Sequence, residues 1–304
     1  MEEIPRYPGL PAPSWLDVGG LPTWHVEAGS GTPVIFVYGG NWGTAESQGG
    51  AYAWDGTFAA LSRSFRTIAY DKPGQGYTPA PEADADHTMG YVVDHLLGLI
   101  EALELPPVHL VGHSRGGYIV TRATLLRPDL VRSLTIVNSG TLMPDVSTNE
   151  VVLARPPAPS FTRESARWVY ENYCHLREAV TDEWVEQSYQ VLVHPAHRAA
   201  VERIRDRRLM ATVFNPQLAR DKRETLGWLA EGRLQRPVQV IWSLNDRTAR
   251  ATGAYRLLET LSAFEPRTVL NMVDKAGHFP FREQPEWFYD TLGRFVEEGG
   301  YDHA

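Results

Sequence analysis

Short runs of β-branched and aromatic residues alternate along the chain with longer segments in which apolar residues recur every three or four positions. The short runs are typical of buried strands and occupy residues 24–27, 34–37, 66–70, 108–111, 134–137, 237–242 and 268–270. Because such runs alternate with helical segments, the pattern predicts an α/β fold. We expect a mostly parallel central sheet with helices on both of its faces.

Two segments show a clear helical periodicity. In residues 90–105 one apolar face is formed by Val92, Val93, Leu96, Leu97, Ile100 and Leu103, and a face of this kind packs against a sheet. Pro106 and Pro107 follow and end that helix. A closing helix is expected over residues 286–297, where the apolar stripe consists of Trp287, Phe288, Leu292 and Phe295.

The pattern changes in the middle of the chain. Residues 141–236 contain a proline-rich stretch at 155–159 and helical segments rich in tryptophan and tyrosine, but no convincing strand. We interpret this part as a helical cap inserted into the sheet domain. The predicted organisation is therefore a core formed by residues 1–140 and 237–304, with a cap at residues 141–236.

A serine lies between glycines where a predicted strand meets a predicted helix. The strand at 108–111 is followed by the sequence GHSRG at 112–116, and a helix is expected to run through residues 121–126. In a G-x-S-x-G turn the glycines allow a crowded backbone that holds the serine hydroxyl above the sheet. The alternative interpretation is a serine that caps a helix. We expect Ser114 to be a nucleophile.

An acid and a histidine follow two later strands in the order that this turn requires. A serine hydroxyl needs a base to remove its proton, and His278 is the candidate base. Asp246 is the candidate acid that orients the imidazole and stabilises its positive charge. The alternatives are a surface-loop histidine at position 278 and Asp274 as the acid. Asn138, which follows the strand after the serine, cannot carry the charge.

The negative charge that forms during attack must meet fixed hydrogen-bond donors. We expect these to be the backbone N–H groups of Arg115 and of Gly40, the latter in the loop 38–43, whose alternative interpretation is a plain glycine-rich turn. Aromatic and polar residues of this loop, the serine turn and the cap are expected to line a substrate pocket. They are Tyr38, Asn41, Trp42, His113, Trp168, Tyr189 and Phe279.

Composition and charge narrow the classes of partner. The 304 residues carry a net charge of −8 without a long basic cluster, so nucleic acid is not expected as a partner. Cys174 is the single cysteine, which excludes an internal disulfide framework and predicts a buried thiol. An acidic, proline-broken start and the lack of a long apolar stretch predict a cytoplasmic protein that has no membrane partner.

Neither metal nor nucleotide chemistry is expected from the motifs. His194 and His197 are spaced as metal ligands can be, but no cluster of further ligands accompanies them, so we expect solvated cap residues. Residues 71–76 follow a strand and contain two glycines, yet they lack the spacing of a phosphate-binding loop. We predict that the protein uses no metal and no cofactor.

With these residues in view, nearly the whole chain resembles an α/β-hydrolase. More narrowly, it resembles the meta-cleavage-product hydrolases, which cut a carbon–carbon bond in ring-opened dienoates. The narrower resemblance is carried by the loop at 43–47, the glycine-flanked turn at 112–117 and the cap segment 161–164. It implies the fold, a triad of Ser114, Asp246 and His278, and a vinylogous diketone acid as substrate.

The chain also differs from that family at three places. The family usually has asparagine at the position of His113, often tryptophan at that of Phe279, and a cap arginine near residues 186–189 that holds the substrate carboxylate. No arginine stands at 186–189, and serine cannot replace a bidentate guanidinium. Arg115, Arg163 and Arg167 are the candidates for a replacement.

The function hypothesis is a serine hydrolase that acts on a small carbonyl substrate, with carbon–carbon cleavage as the preferred reaction. A carboxylesterase or lactonase with the same triad is the first alternative, because the fold and the triad are shared among these chemistries. A ligand-binding relative without turnover is the second. We expect a small-molecule substrate and a homodimer as the oligomeric state to test.

Overall fold

One sheet organises the protein in the computed structural model, which describes residues 4–40, 42–143 and 148–299, and within them every side chain except that of Glu150. Its eight strands lie in the spatial order β1-β2-β4-β3-β5-β6-β7-β8. The strands are β1 (Ser14–Val18), β2 (Leu21–Ala28), β3 (Pro33–Val37), β4 (Arg66–Tyr70), β5 (Val108–His113), β6 (Val131–Val137), β7 (Val238–Ser243) and β8 (Thr268–Val273).

The sheet is parallel from β4 to β8 and antiparallel at one edge. Strand β2 pairs antiparallel with both β1 and β4, and the remaining neighbours run parallel. The prediction of a mostly parallel sheet is confirmed. The pattern did not predict β1, which is short and largely exposed. It forms by hairpin pairing through Gly19 and Gly20, whose positive φ values of 62° and 90° suit a two-residue turn.

Eleven α-helices accompany the sheet in the described ranges. They are α1 (Asp55–Leu61), α2 (Met89–Ala102), α3 (Arg115–Leu126), α4 (Asn149–Val152), α5 (Arg163–Tyr173), α6 (Asp182–Val193), α7 (Pro195–Asp206), α8 (Asn215–Ala230), α9 (Ala251–Ser262), α10 (Pro280–Glu283) and α11 (Pro285–Glu297). A π-helical turn, Met210–Phe214, joins α7 to α8. Helix α2 begins where Thr88 accepts a hydrogen bond from the Tyr91 N–H, as capping residues do.

Helices cover both faces of the sheet. Along β3, Ile35 and Val37 join an apolar core with α2, α3 and α9, whereas Val34 and Phe36 join a second core with α1 and α11. Successive side chains of a strand point to opposite faces, so burial on both faces explains why the parallel strands read as continuous apolar runs. The predicted α/β class is confirmed.

The helices α4–α8 lie between β6 and β7 in sequence. The described part of residues 141–236 contains no strand, in agreement with the sequence pattern. Residues of α5 and α6, including Tyr170 and Trp184, share an apolar cluster with Phe279 of the sheet domain. The segment thus packs over the carboxyl ends of the strands, while the proposed boundaries at 140 and 237 stay a prediction.

Candidate active site

Ser114 occupies the single residue between β5 and α3. Its backbone has φ 55° and ψ −121°, a conformation that is costly for a residue with a side chain. Three hydrogen bonds hold it there: the Ser114 N–H donates to the Val137 carbonyl at 2.8 Å, and the Ser114 carbonyl accepts the Gly117 N–H at 3.0 Å and the Ser139 hydroxyl at 2.6 Å. Such strain is maintained only where the surroundings impose it, as at functional sites.

The glycines around Ser114 are required by close backbone contacts. A Cβ atom on Gly112 would lie 2.3 Å from the Gly116 carbonyl oxygen, and one on Gly116 would lie 2.0 Å from the Val37 carbonyl oxygen. Both distances are far shorter than a van der Waals contact. The G-x-S-x-G spacing is therefore explained by packing of the turn on β3.

Asp246 and His278 meet at the ends of β7 and β8. His278 Nδ1 lies 2.7 Å from Asp246 Oδ2, and both side chains are buried. The other oxygen, Oδ1, accepts the Thr248 N–H and hydroxyl at 2.8 Å each and the Ala249 N–H at 3.0 Å. The carboxylate is held on both oxygens, so its direction toward the imidazole is set.

The charge state of this pair follows from its contacts. Burial would raise the pKa of Asp246, but the charge of His278 and its hydrogen bond, together with the backbone N–H groups of Ala249 and Thr248, lower the pKa below its usual value. An ionised carboxylate only accepts hydrogen bonds. His278 Nδ1 therefore carries a proton, and in the neutral ring Nε2 is left with the lone pair that a base needs.

The loop that carries His278 is held by the cap. The imidazole stacks on Tyr173 of α5 with ring centres 4.7 Å apart, and the His278 N–H donates to the Tyr173 carbonyl at 2.9 Å. The Glu283 carboxylate accepts the N–H groups of His175 at 2.6 Å, Leu176 at 2.8 Å and Gly277 at 2.8 Å. Glu283 thus ties the end of α5 to the loop. The sequence offered no signal for this contact.

Asn138 also belongs to the site, in a role that sequence reasoning missed. At the end of β6, its amide nitrogen lies 2.9 Å from Asp246 Oδ2 and 2.9 Å from the Gly277 carbonyl oxygen. Its carbonyl oxygen accepts the Ser243 N–H at 2.9 Å. The sequence shows an asparagine where some hydrolases place their acid, and here that side chain contacts the acid instead.

Replacing Asn138 by leucine tests this role. The Ser243 N–H and the Gly277 carbonyl would lose a partner inside the protein, and an unsatisfied buried group costs about 1–3 kcal/mol. We expect a lower denaturant midpoint and a loss of activity larger than that of Ser243→Ala, which removes a hydroxyl near the same amide but leaves Asp246 its contact. Equal effects of the two substitutions would contradict a role for Asn138 in holding Asp246.

The glycine-rich loop after β3 contacts the serine turn. A Cβ on Gly39 would lie 2.7 Å from Ser114 Cβ, so the loop backbone lies directly against the nucleophile candidate. Gly40 has φ +86°, which an L side chain rarely adopts. The peptide joining the two glycines therefore lies beside Ser114, where an oxyanion donor would be needed.

A cavity of about 400 Å³ lies between the carboxyl ends of the strands and the cap. Ser114 and His278 line it, as do Gly40, Arg115 and four expected pocket residues, namely Tyr38, His113, Trp168 and Phe279. Four more aromatic lining residues were not singled out for the pocket from the sequence: Tyr52, Tyr170, Tyr173 and Trp184. Tyr170 and Trp184 are stacked with ring centres 4.1 Å apart, which gives the cavity a flat apolar wall.

Two expected pocket residues lie elsewhere. Trp42 is buried in the core below the cap, with its ring 4.8 Å from that of His87 and 6.2 Å from that of Phe214. Tyr189 lies on the other side of α6, where the Arg163 guanidinium covers its ring at 3.7 Å. Neither lines the cavity, because each faces its own helix or loop neighbours. Asn41, also expected in the pocket, lies outside the described residues.

The three candidate arginines differ in position. Arg163 pairs with Glu186, and Arg167 pairs with Asp182 and Glu171, both on the outer face of the cap. Arg115 lines the cavity, with its guanidinium 5.3 Å from the centre of the Phe214 ring. Among the described lining residues, it is the one with a guanidinium or ammonium group.

Of the two cap histidines expected to be solvated, His194 is half-buried and His197 is buried. His197 is 5% exposed and lies 3.3 Å from the Gln48 amide nitrogen and 3.3 Å from the Thr44 carbonyl, and burial lowers its pKa to about 4.

Cys174 is buried, as predicted. Within 4–40, 42–143 and 148–299, no three His, Cys, Asp or Glu side chains are grouped as a metal site would need. None of the helices in these ranges is long and apolar enough to span a membrane.

Comparison with known proteins supports the fold. The family model described as alpha/beta hydrolase fold matches residues 32–285. The chain belongs to the α/β-hydrolase fold family. Its Ser114 turn and the strands before Asp246 and His278 all lie within the matched range.

Individual relatives within the α/β-hydrolase fold family are similar over most of their length. The 2-hydroxy-6-oxo-2,4-heptadienoate hydrolase of Pseudomonas putida is 31% identical, over 91% of this chain and 94% of that protein. The 2-hydroxy-6-oxo-6-(2'-aminophenyl)hexa-2,4-dienoic acid hydrolase of Metapseudomonas resinovorans is 26% identical, over 93% and 90%. A solved meta-cleavage product hydrolase from Pseudomonas fluorescens superposes with a TM-score of 0.77 at 24% identity, covering 95% and 98%. This structural similarity shows that the two proteins share a fold.

Proposed function

We propose that the protein is a serine hydrolase that cleaves a carbon–carbon bond next to a carbonyl group in a small, carboxylated, ring-cleavage dienoate. One observation carries the proposal. Ser114 and His278 line the same cavity, while the Asp246 carboxylate lies 2.7 Å from the Nδ1 side of the imidazole. A hydroxyl and an imidazole that face one cavity, with a carboxylate behind the imidazole, are the groups that nucleophilic acyl transfer requires.

The reaction begins when Ser114 Oγ attacks the substrate carbonyl carbon and His278 Nε2 takes the hydroxyl proton. The carbonyl oxygen becomes an alkoxide, which accepts hydrogen bonds from the N–H groups of Gly40 and Arg115. The carbon–carbon bond then breaks, and His278 returns the proton to the departing carbon. A water molecule, activated by the same imidazole, attacks the resulting ester, so that a carboxylic acid is released and the Ser114 hydroxyl is restored.

Two features support a dienoate rather than a simple ester. The curated relatives reported above are named as dienoate hydrolases and match over nine-tenths of this chain. Arg115 lines the cavity together with an aromatic wall, and a guanidinium turned into it would suit a conjugated chain that ends in a carboxylate. Arg115 would thus take the part of the cap arginine that is missing at residues 186–189.

A substrate panel tests the reaction class. We expect the wild-type protein to bleach a yellow ring-fission dienoate with a higher kcat/KM than it shows for p-nitrophenyl acetate. Turnover of the ester with an unchanged dienoate would instead establish a carboxylesterase or lactonase. Absence of both activities, together with no labelling of Ser114 by a fluorophosphonate, would favour a ligand-binding relative.

Substituting Arg115 by methionine separates carboxylate binding from the chemical step. A hydrogen bond between charged groups contributes about 1.5–3 kcal/mol, so KM for the dienoate should rise about 10- to 100-fold. For p-nitrophenyl acetate, which has no carboxylate, kcat/KM should change less than about threefold, since the residue 115 N–H is retained. Arg167→Met is the matched control on the cap surface and should alter neither. An equal loss on both substrates would contradict a carboxylate contact.

Cellular location and assembly stay predictions. A cytoplasmic location and a homodimer accord with the sequence, and size-exclusion chromatography with light scattering would test the homodimer.

The cap boundaries can be tested by limited proteolysis, which should cut near residues 140 and 237 before it cuts within the strands.

A further inference from the structure

Lys72 is a buried cation just behind the candidate active site. It follows β4, is 1% exposed, and its Nζ donates to the Gly39 carbonyl oxygen at 2.9 Å. The ammonium also lies 4.5 Å from the centre of the Tyr38 ring. The Lys72 N–H donates to the Tyr38 hydroxyl at 3.2 Å. Both ends of this lysine therefore hold the loop segment Tyr38–Gly39.

No carboxylate accepts the ammonium in the part of the chain that the structure describes. The neighbouring Asp71 carboxylate is engaged elsewhere, with the Tyr7 hydroxyl at 2.7 Å and the N–H groups of Ala51 and Tyr77 at 2.8 Å each. Burying an ammonium on a neutral carbonyl is costly compared with an apolar side chain of the same length. That cost indicates that the contact serves more than packing.

The accepting carbonyl belongs to the peptide that joins Gly39 to Gly40. This peptide is trans, so its C=O and its N–H point in opposite directions. An ammonium on the oxygen therefore turns the Gly40 N–H away from Lys72. Gly39 and Gly40 line the cavity, whereas Lys72 does not. The N–H side of the peptide is thus the side on which substrate would lie.

A peptide between two glycines needs an anchor to keep one orientation. With no Cβ on either residue, rotation of the peptide plane meets little steric resistance. Gly39 cannot be replaced by a stiffer residue, because its Cβ would lie 2.7 Å from Ser114 Cβ. Gly39 must therefore stay a glycine, and the orientation of the peptide has to be held by a contact from outside the loop.

We propose that Lys72 is a positioning residue that fixes and polarises the Gly39–Gly40 peptide, so that the Gly40 N–H is directed at the oxyanion formed on Ser114. The inference rests on the proposed function. A positive charge on the carbonyl oxygen withdraws electron density from the peptide and strengthens its N–H as a donor. Preorganised donors of this kind lower the barrier because they need no rearrangement when charge develops.

Arg115 and Asp71 are the charged groups that act on Lys72. Burial and the nearby Arg115 hold the pKa of Lys72 well below its usual value, and Asp71 opposes them only in part. Arg115 supplies the second expected donor from its own backbone.

The test compares Lys72→Met, which removes the ammonium and is an unbranched side chain only one atom shorter, with the wild-type protein. Losing one direct oxyanion donor costs about 10²–10³-fold in kcat, so a misaligned donor should lower kcat for p-nitrophenyl acetate about 10- to 100-fold. Inhibition by a phenyl trifluoromethyl ketone, which forms an alkoxide on serine, should weaken by a similar factor. Inhibition by the corresponding methyl ketone should change less than about twofold.

Tyr7→Phe is the matched control. It removes the hydroxyl that donates to Asp71 in the same corner of the core but leaves the Lys72 contact with Gly39. We expect a lower thermal midpoint with unchanged kcat and an unchanged ratio of the two inhibition constants. If Lys72→Met does not fold, Lys72→Gln, which is equally long, polar and uncharged, is measured in the same way.

Two results would overturn the inference. One is a wild-type kcat and inhibitor ratio in Lys72→Met or Lys72→Gln. The other is an equal weakening of both ketones, which would indicate a general distortion of the cavity. If Ser114→Ala is inactive while the Lys72 variants behave as wild type, the inference fails and the proposed function stands. If Ser114→Ala retains activity, the proposed function itself fails.

Discussion

Ser114→Ala should lower kcat by about 10⁵- to 10⁶-fold, since loss of the nucleophile removes the covalent pathway and leaves only binding and oxyanion stabilisation. The fold should be retained, because the contacts of the serine turn are made by its backbone N–H and carbonyl groups. Steady-state kinetics on the preferred substrate and a fluorophosphonate label, analysed by mass spectrometry, measure the effect. Activity within tenfold of wild type would rule out Ser114 as nucleophile.

The backbone at this position provides an internal control. Ser114→Gly should be as inactive as Ser114→Ala but more stable, because glycine adopts φ 55° and ψ −121° without the strain that a Cβ introduces. Relief of such strain is worth about 1–3 kcal/mol. Denaturant unfolding of the two variants measures the difference. Equal stabilities would mean that the turn relaxes when the hydroxyl is removed.

Asp246→Asn should lower kcat by about 10⁴-fold, the size of effect seen when the acid of a serine triad is made neutral. An amide can donate a hydrogen bond to His278 Nδ1, which would move the imidazole proton to Nε2 and leave the base blocked. KM should change little, since Asp246 is buried and does not line the cavity. The measurement is kcat and KM on one substrate at neutral pH.

The matched control for that substitution is Asp274→Asn, at the acid that the sequence left as an alternative. Asp274 follows β8 and is exposed, so its substitution should leave kcat within about twofold. A large loss in Asp274→Asn together with an active Asp246→Asn would reverse the assignment. Loss in both variants would indicate that the charge of the whole loop matters.

Much of the fold could be predicted because the local pattern and the tertiary environment agree. Parallel strands buried on both faces appear as apolar runs, and seven of the eight strands have such a run in the sequence. The exception, β1, is largely exposed and depends on pairing with β2, which is information from outside its own five residues. Helix α2 also ends at Ala102, several residues before Pro106, so its end is set by its surroundings in the fold rather than by the proline.

The site was predictable in part for the same reason. Ser114 can be recognised by the glycines around it. They are required by contacts within the turn itself, since a side chain at Gly112 would collide with the carbonyl of Gly116. Asp246 and His278 are marked by their places after strands, and strand ends of a parallel sheet converge at one edge. The pocket prediction for Trp42 and Tyr189 was wrong because no local sequence feature shows which side of a loop or helix an aromatic residue faces.

By itself, the sequence determined the α/β class, the serine turn, the order of the three candidate catalytic residues and a middle segment without strands. Each of these follows from spacing within a few residues or from the order of elements. Only the tertiary structure decided which candidate arginine lines the cavity, that Asn138 and Glu283 hold the acid and the histidine loop, and that Lys72 donates to the Gly39 carbonyl. These contacts join residues distant in sequence, and their geometry depends on how helices and loops pack rather than on any local pattern.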